Sequence, residues 1–252
     1  MTEPDIVVVA DPEAAAAEAA ERIARTLTGA VERRGRADWA TTGGSTPIGI
    51  YRRLIVPPLR DRVPWDRVHT WWGDDRLVPP EDDLSNRRSF EELMLGVGEL
   101  SIPRDHVHPF ETGGPDREAE RVATILADEL HAADLPQADG WPVLDLILLG
   151  IGGDGHLLSV FPGSAAFGST AWALAIPAPT HIEPHVERVT LNPALIGVAR
   201  EILFVATGAS KATVMGEIYG PVDDPQRWPA QLARRPGATW ILDAAAAAEL
   251  AP

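Results

Sequence analysis

A chain of 252 residues with 45% hydrophobic and 23% charged side chains has ample material for one large α/β core and lacks the bias of a disordered protein. No apolar run approaches the ~18–20 residues of a membrane span, and the absence of cysteine removes disulfides and thiolate metal sites. The formal charge of −15 argues against a nucleic-acid partner bound through a basic face, and it requires any anionic substrate to be held by a local cationic cluster.

The elements follow from apolar patterning and turn chemistry. Residues 6–9 form a first apolar run, and Asp11 then caps a helix of about four turns with Pro12 at its first position. Residues 38–42 form a short strand that empties into Gly43-Gly44-Ser45-Thr46-Pro47. There, free N–H groups and two hydroxyls meet the positive end of a helix, a composition suited to phosphate and also to an ordinary helix start. Residues 67–72 are the next strand, ending in Gly73-Asp74-Asp75-Arg76. Two acids and an arginine are costly to crowd together unless they face solvent or a ligand. Ser85 caps a helix with Asn86, Arg87 and Arg88 in its first turn, where positive charge opposes the dipole and hints at an anion. A further helix is expected over 113–130, starting at Pro115.

Residues 146–149 are an uninterrupted apolar run of the kind buried on both faces of a parallel sheet. The run stops at Gly150-Ile151-Gly152-Gly153-Asp154-Gly155-His156. Its glycines bare backbone N–H groups, while Asp154 and His156, one residue apart, are presented to one small volume. Strands are expected at 172–176, 189–191, 202–206 and 240–242, a short helix at Asn192-Pro193, and an alanine-rich helix at the end of the chain. The 202–206 strand ends in Thr207-Gly208, with Lys211, the only lysine among 22 basic residues, in the first turn beyond it. Residues 222–229 read as a surface loop. Four strands thus end in unusual loops, and in an open parallel sheet those ends share the edge where ligands bind.

TTGGSTP (41–47), DDRLVPPEDDLSN (74–86), GIGGDGHLLSVFPGS (150–164) and TGASKA (207–212) resemble, in order and spacing, the glucosamine-6-phosphate deaminase/6-phosphogluconolactonase family, on its lactonase side. The resemblance covers most of the chain. It implies one domain over 1–252, a three-layer α/β sandwich with a mostly parallel, Rossmann-like central sheet of the sugar-phosphate isomerase/deaminase type. It also implies that Gly43, Gly44, Ser45, Thr46 and Lys211 hold a sugar phosphate and that His156 is the catalytic base. Asp154, Asp74 and Arg76 join the expected catalytic set, and Asn86, Arg88 and Gly153 the substrate-binding set. The chain departs from the lactonases' usual Asp-Glu-Arg at Asp75 and from their Ser-Leu-Phe-Pro at Val160. The deaminases place a glutamate where this chain has Phe161.

The implied reaction is hydrolysis of 6-phospho-D-glucono-1,5-lactone to 6-phospho-D-gluconate in the oxidative pentose phosphate pathway. It needs no metal or cofactor, because a lactone is already an activated ester. Residues 150–155 spell GxGxxG, but no acidic residue ends a strand about 20 residues later to hold a ribose, so a dinucleotide site is disfavoured. A non-catalytic sugar-phosphate sensor would have no use for His156. His106 and His108, or His181 and His185, lack a convergent carboxylate set and read as surface or strand residues. The N-terminus lacks a secretory signal, so the expectation is a cytoplasmic enzyme, a monomer or weak dimer, acting on a small sugar phosphate with no membrane partner.

Overall fold

The computed structural model describes residues 4–98, 100–113 and 118–250. In chain order the strands and α-helices are β1 (Asp5–Val9), α1 (Pro12–Arg34), β2 (Ala37–Thr41), α2 (Ser45–Leu54), α3 (Leu59–Arg62), β3 (Val68–Trp72), β4 (Asp74–Arg76), α4 (Asn86–Phe90), β5 (Val107–His108), α5 (Ala119–Ala132), β6 (Gln137–Ala138), β7 (Trp141–Pro142), β8 (Leu146–Leu149), β9 (Ala173–Ile176), β10 (Arg188–Leu191), α6 (Ala194–Val198), β11 (Glu201–Ala206), α7 (Ala212–Ile218) and β12 (Ala238–Asp243). Seven strands make one parallel sheet in the order β1-β12-β11-β8-β2-β3-β5. β2, β8 and β12 are buried along their whole length, as strands covered on both faces must be. The Trp39, Trp71, Trp72 and Trp240 side chains fill the core around them. β1 is an edge strand and leaves Ile6 and Val8 exposed. A second, antiparallel sheet, β4-β10-β9, carries Asp74 and Arg76 away from the end of β3.

Local sequence explains the helix bounds. Asp11 accepts the Ala14 N–H at 2.8 Å, Pro12 occupies the first turn, and Gly35 closes the helix at φ 79° with its N–H on Val31 O. α1 therefore runs for 23 residues rather than four turns, because Ala15, Ala19, Ile23, Leu27 and Ala30 continue one buried stripe. α5 begins at Ala119; the expected start at Pro115 lies outside the described residues. The alanine-rich end of the chain forms turns over 244–250 instead of a helix. Asp243 caps Ala246 N–H at 2.7 Å but shares its carboxylate with Gly208 N–H at 2.9 and 3.0 Å, and the remaining stretch is too short to repay helix nucleation. No described helix is long and apolar enough to cross a membrane.

Candidate active site

The strand order reverses between β2 and β8. From β2 the chain moves outward through β3 and β5, then returns to β8 on the other side and continues to β11 and β12. Ligands of open α/β sheets bind at such a reversal, at the carboxyl ends of the strands. A cleft of about 260 Å³ opens there, bounded by the loops after β2, β3, β8 and β11. Gly43, Gly44, Ser45, Thr46, Asp74, Arg76, Asn86, His156 and Lys211 all line it, together with Leu158 and Arg188. A larger groove of about 760 Å³ lies on the outer side of the 43–46 loop, between α1 and α2. Its ionisable lining is Glu13, Arg52 and Arg53, so it holds no histidine for proton transfer.

The loop after β8 is shaped around one imidazole. His156 donates Nδ1–H to Asp154 Oδ1 at 2.5 Å, and its backbone N–H donates to the same oxygen at 3.2 Å. A side chain at 152 would destroy this pair, since a Cβ there would sit 2.0 Å from the His156 ring and 2.7 Å from Asp154 Oδ1. Burial works to raise the Asp154 carboxyl, but hydrogen bonds and charge from His156 and a bond from His181 outweigh it and hold the group well below the usual carboxylate range. With Nδ1 committed as the donor, the neutral imidazole keeps a lone pair on Nε2. The ring packs on Phe161, centroids 4.7 Å apart. Neither Asp154 nor Gly153 lines the cleft; Asp154 touches it only through the His156 ring. Leu158, which does line it, adopts φ 53°, a strained conformation of the kind found where a loop is shaped for a ligand.

The acids after β3 divide their work. Asp74 faces the cleft and is fixed by Ser159 Oγ–H at 2.6 Å and Asn86 Nδ2–H at 3.2 Å. Asp75 turns away and caps α4, accepting Arg76 N–H and Asn86 N–H at 2.7 Å each and the Ser85 hydroxyl at 3.2 Å. Burial pushes its carboxyl up to about 6 against those N–H bonds. Asn86 leans across the phosphate-type loop so closely that a Cβ on Gly43 would lie 1.8 Å from Asn86 Oδ1. That oxygen and Arg76 Nε are buried and bonded to no protein group, an unmet demand of the kind that marks functional sites.

Three cations reach the cleft. Lys211 Nζ donates to Ile151 O at 2.9 Å, which ties the 207–211 turn to the catalytic loop; burial lowers its pKa, opposed by the charge of Asp154. Arg76 Nη1 is fixed on Leu84 O at 2.6 Å. Arg188 is 4% exposed and held by Pro184 O at 2.9 Å and Val186 O at 3.2 Å. It stands directly opposite Arg76 in the β4–β10 register, a like-charge pairing that the charges of Asp74 and Asp75 oppose. Arg88 is not part of this set. Its guanidinium pairs with Asp83 and Glu92 and lines a neighbouring hollow, so the charge that opposes the α4 dipole is answered by carboxylates of the protein itself.

Sequence reading missed Arg188, because a lone arginine before a short apolar run carries no motif. His181, expected as a surface or strand residue, is indeed half exposed, and its Nε2–H also donates to Asp154 Oδ2 at 2.8 Å. The 222–229 segment does more than cover surface. Trp228 packs where a Cβ on Gly155 would be 2.6 Å from its ring, and Ala230 N–H donates to Gly155 O at 3.0 Å, bracing the catalytic loop from behind. Among the described residues no group of three or more His, Asp or Glu side chains is placed to hold a metal ion.

Residues 10–241 match the family described as glucosamine-6-phosphate isomerases/6-phosphogluconolactonase. A 6-phosphogluconolactonase of Synechocystis sp. is 34% identical over 227 residues, 90% of each chain, and one of Mycobacterium tuberculosis is 32% identical over 97% of this chain and 98% of its own. Among solved structures, the 6-phosphogluconolactonase of Trypanosoma brucei superposes with a TM-score of 0.86 at 30% identity, each chain covered in full. A monomeric glucosamine-6-phosphate deaminase, 18% identical with a TM-score of 0.77, shares the fold.

Proposed function

The chain belongs to the glucosamine-6-phosphate isomerase/6-phosphogluconolactonase family, and from that premise we propose that it is the lactonase, hydrolysing 6-phospho-D-glucono-1,5-lactone to 6-phospho-D-gluconate in the oxidative pentose phosphate pathway. The observation that carries the reading is the His156 imidazole, held from behind by Asp154, in one cleft with Lys211 and Arg188. Water attacks C1 as His156 Nε2 takes its proton; Asp154 keeps the ring in the tautomer that can do so and stabilises the imidazolium formed. The same proton passes to the ring oxygen as the C1–O bond breaks. One side chain serves as base and then as acid.

The phosphate is bound by the N–H groups and hydroxyls of Gly43, Gly44, Ser45 and Thr46 at the start of α2, with Lys211 and the fixed guanidinium of Arg188. Arg76 meets the developing oxyanion. Asp74 and Asn86 Oδ1 accept from the sugar hydroxyls. Phe161 supports the lactonase branch, since it sets a phenyl ring against His156 where the deaminases, by resemblance, need a glutamate for amine chemistry. The test is an assay of pure, chelator-treated protein with freshly generated lactone, corrected for spontaneous hydrolysis, beside an ammonia assay with glucosamine 6-phosphate. Lactone turnover without ammonia release is expected; ammonia release at a comparable rate would place the chain on the other branch.

A further inference from the structure

We propose that His181 is a positioning residue for His156, completing a His156–Asp154–His181 chain of hydrogen bonds that keeps the base oriented. The proposal rests on the assignment of His156 as the base. Both oxygens of Asp154 are engaged: Oδ1 by the ring and backbone N–H groups of His156 at 2.5 and 3.2 Å, Oδ2 by Nε2–H of His181 at 2.8 Å. The two imidazoles also share an apolar neighbour. Phe161 packs against His156 at 4.7 Å and meets the His181 ring edge-on at 5.6 Å and 89°. Two independent contacts therefore hold His181 to the dyad, although its side chain is 49% exposed. The segment between β9 and β10 that carries His181 also supplies Pro184 O and Val186 O to Arg188, so the base and the buried cation of the cleft are set by one stretch of chain.

A carboxylate with no partner besides His156 would place its full charge on the imidazolium and raise the pH at which the base is lost. A second N–H on Asp154 draws on the same charge and restrains its rotation, lowering that pH and narrowing the ring's orientations. The other groups facing this pair are Lys211, whose charge reaches Asp154, and Arg188, 5.9 Å from the Phe161 centroid. On its own segment His181 is flanked by Glu183 and His185, paired at 3.1 Å. The proton of water goes to His156 Nε2 and on to the ring oxygen, while His156 Nδ1–H and His181 Nε2–H stay in place.

The experiment compares pH–rate profiles of the wild type, His181→Ala and His181→Gln on freshly generated lactone, with an NMR titration of the His156 imidazole in each. His181→Ala should lower kcat by about three- to tenfold with little change in KM. It should also move the acid limb of the profile to higher pH. His181→Gln, whose amide donates without titrating, should recover most of kcat. A His181→Ala protein with wild-type kcat and an unmoved acid limb overturns the proposal, and so does a Gln variant as impaired as the Ala variant. Full turnover in His156→Ala would instead defeat the assignment of the base, and the titration reads the effect of His181 on His156 whichever way that control falls.

Discussion

His156 draws its orientation from Asp154 and its room from Gly152, so its removal should cost chemistry and little else. His156→Ala is expected to abolish catalysed hydrolysis while the folded protein still binds 6-phosphogluconate, measured by calorimetry. Near-normal turnover in the folded variant would end the general-base reading. Lys211 presents a sharper choice, because Nζ lies in the cleft and also holds Ile151 O. If its main partner is the substrate phosphate, Lys211→Ala loses an interaction of about 1.5–3 kcal/mol, seen mostly as raised KM, since phosphate is bound alike in ground and transition states. Unphosphorylated gluconolactone should then be hydrolysed at the wild-type rate. An equal defect on both substrates would assign Lys211 to shaping the loop. Arg188→Ala should show the same substrate-confined pattern.

Asp75 shows an element's terminus setting a titration. It satisfies the first N–H groups of α4 from inside the protein, and burial raises its pKa from 3.8 to about 6. The folded chain thus binds this proton more tightly than the unfolded one. The stabilisation is fully present below pH 3.8 and is lost as pH rises through 6, a span of about 3 kcal/mol. The gap in Tm between the wild type and Asp75→Asn should widen from pH 7.5 to pH 5, and a gap that stays constant would show that the carboxyl is not shifted. The His69, His106 and His108 stack at the β3–β5 edge works in the opposite sense. Burial lowers His69 to about 3 and His108 to about 4, so its contribution falls away as pH drops below 6.5. Strands and catalytic loops were legible in the sequence because each is local: an apolar run, then glycine, then the functional side chain. Arg188, His181 and the bracing Trp228 were not, because their roles depend on a second sheet and two long connections that bring distant segments onto the loop after β8.

At the scale of the whole molecule, the resemblance anticipated the parallel sheet and the four strand-end loops the shared edge, whereas the seven-strand order that places the cleft between β2 and β8 is a matter of long-range pairing that no local pattern records. That order has a consequence for how the chain assembles. Among the described residues β1 pairs with β12 alone, Asp5 opposite Thr239 and Val9 opposite Asp243, so it must wait for a strand made much later. Closing so long a loop is slow and is rewarded only when β12 is already seated beside β11. The Ile6–Val9 run is therefore left uncovered throughout synthesis, a sticky apolar strand in the nascent chain. Pulsed hydrogen exchange during refolding should find the amides of Val7 to Val9 protected after those of β8 and β11. Simultaneous protection would mean that the chain ends meet first and the sheet closes inward from its edge.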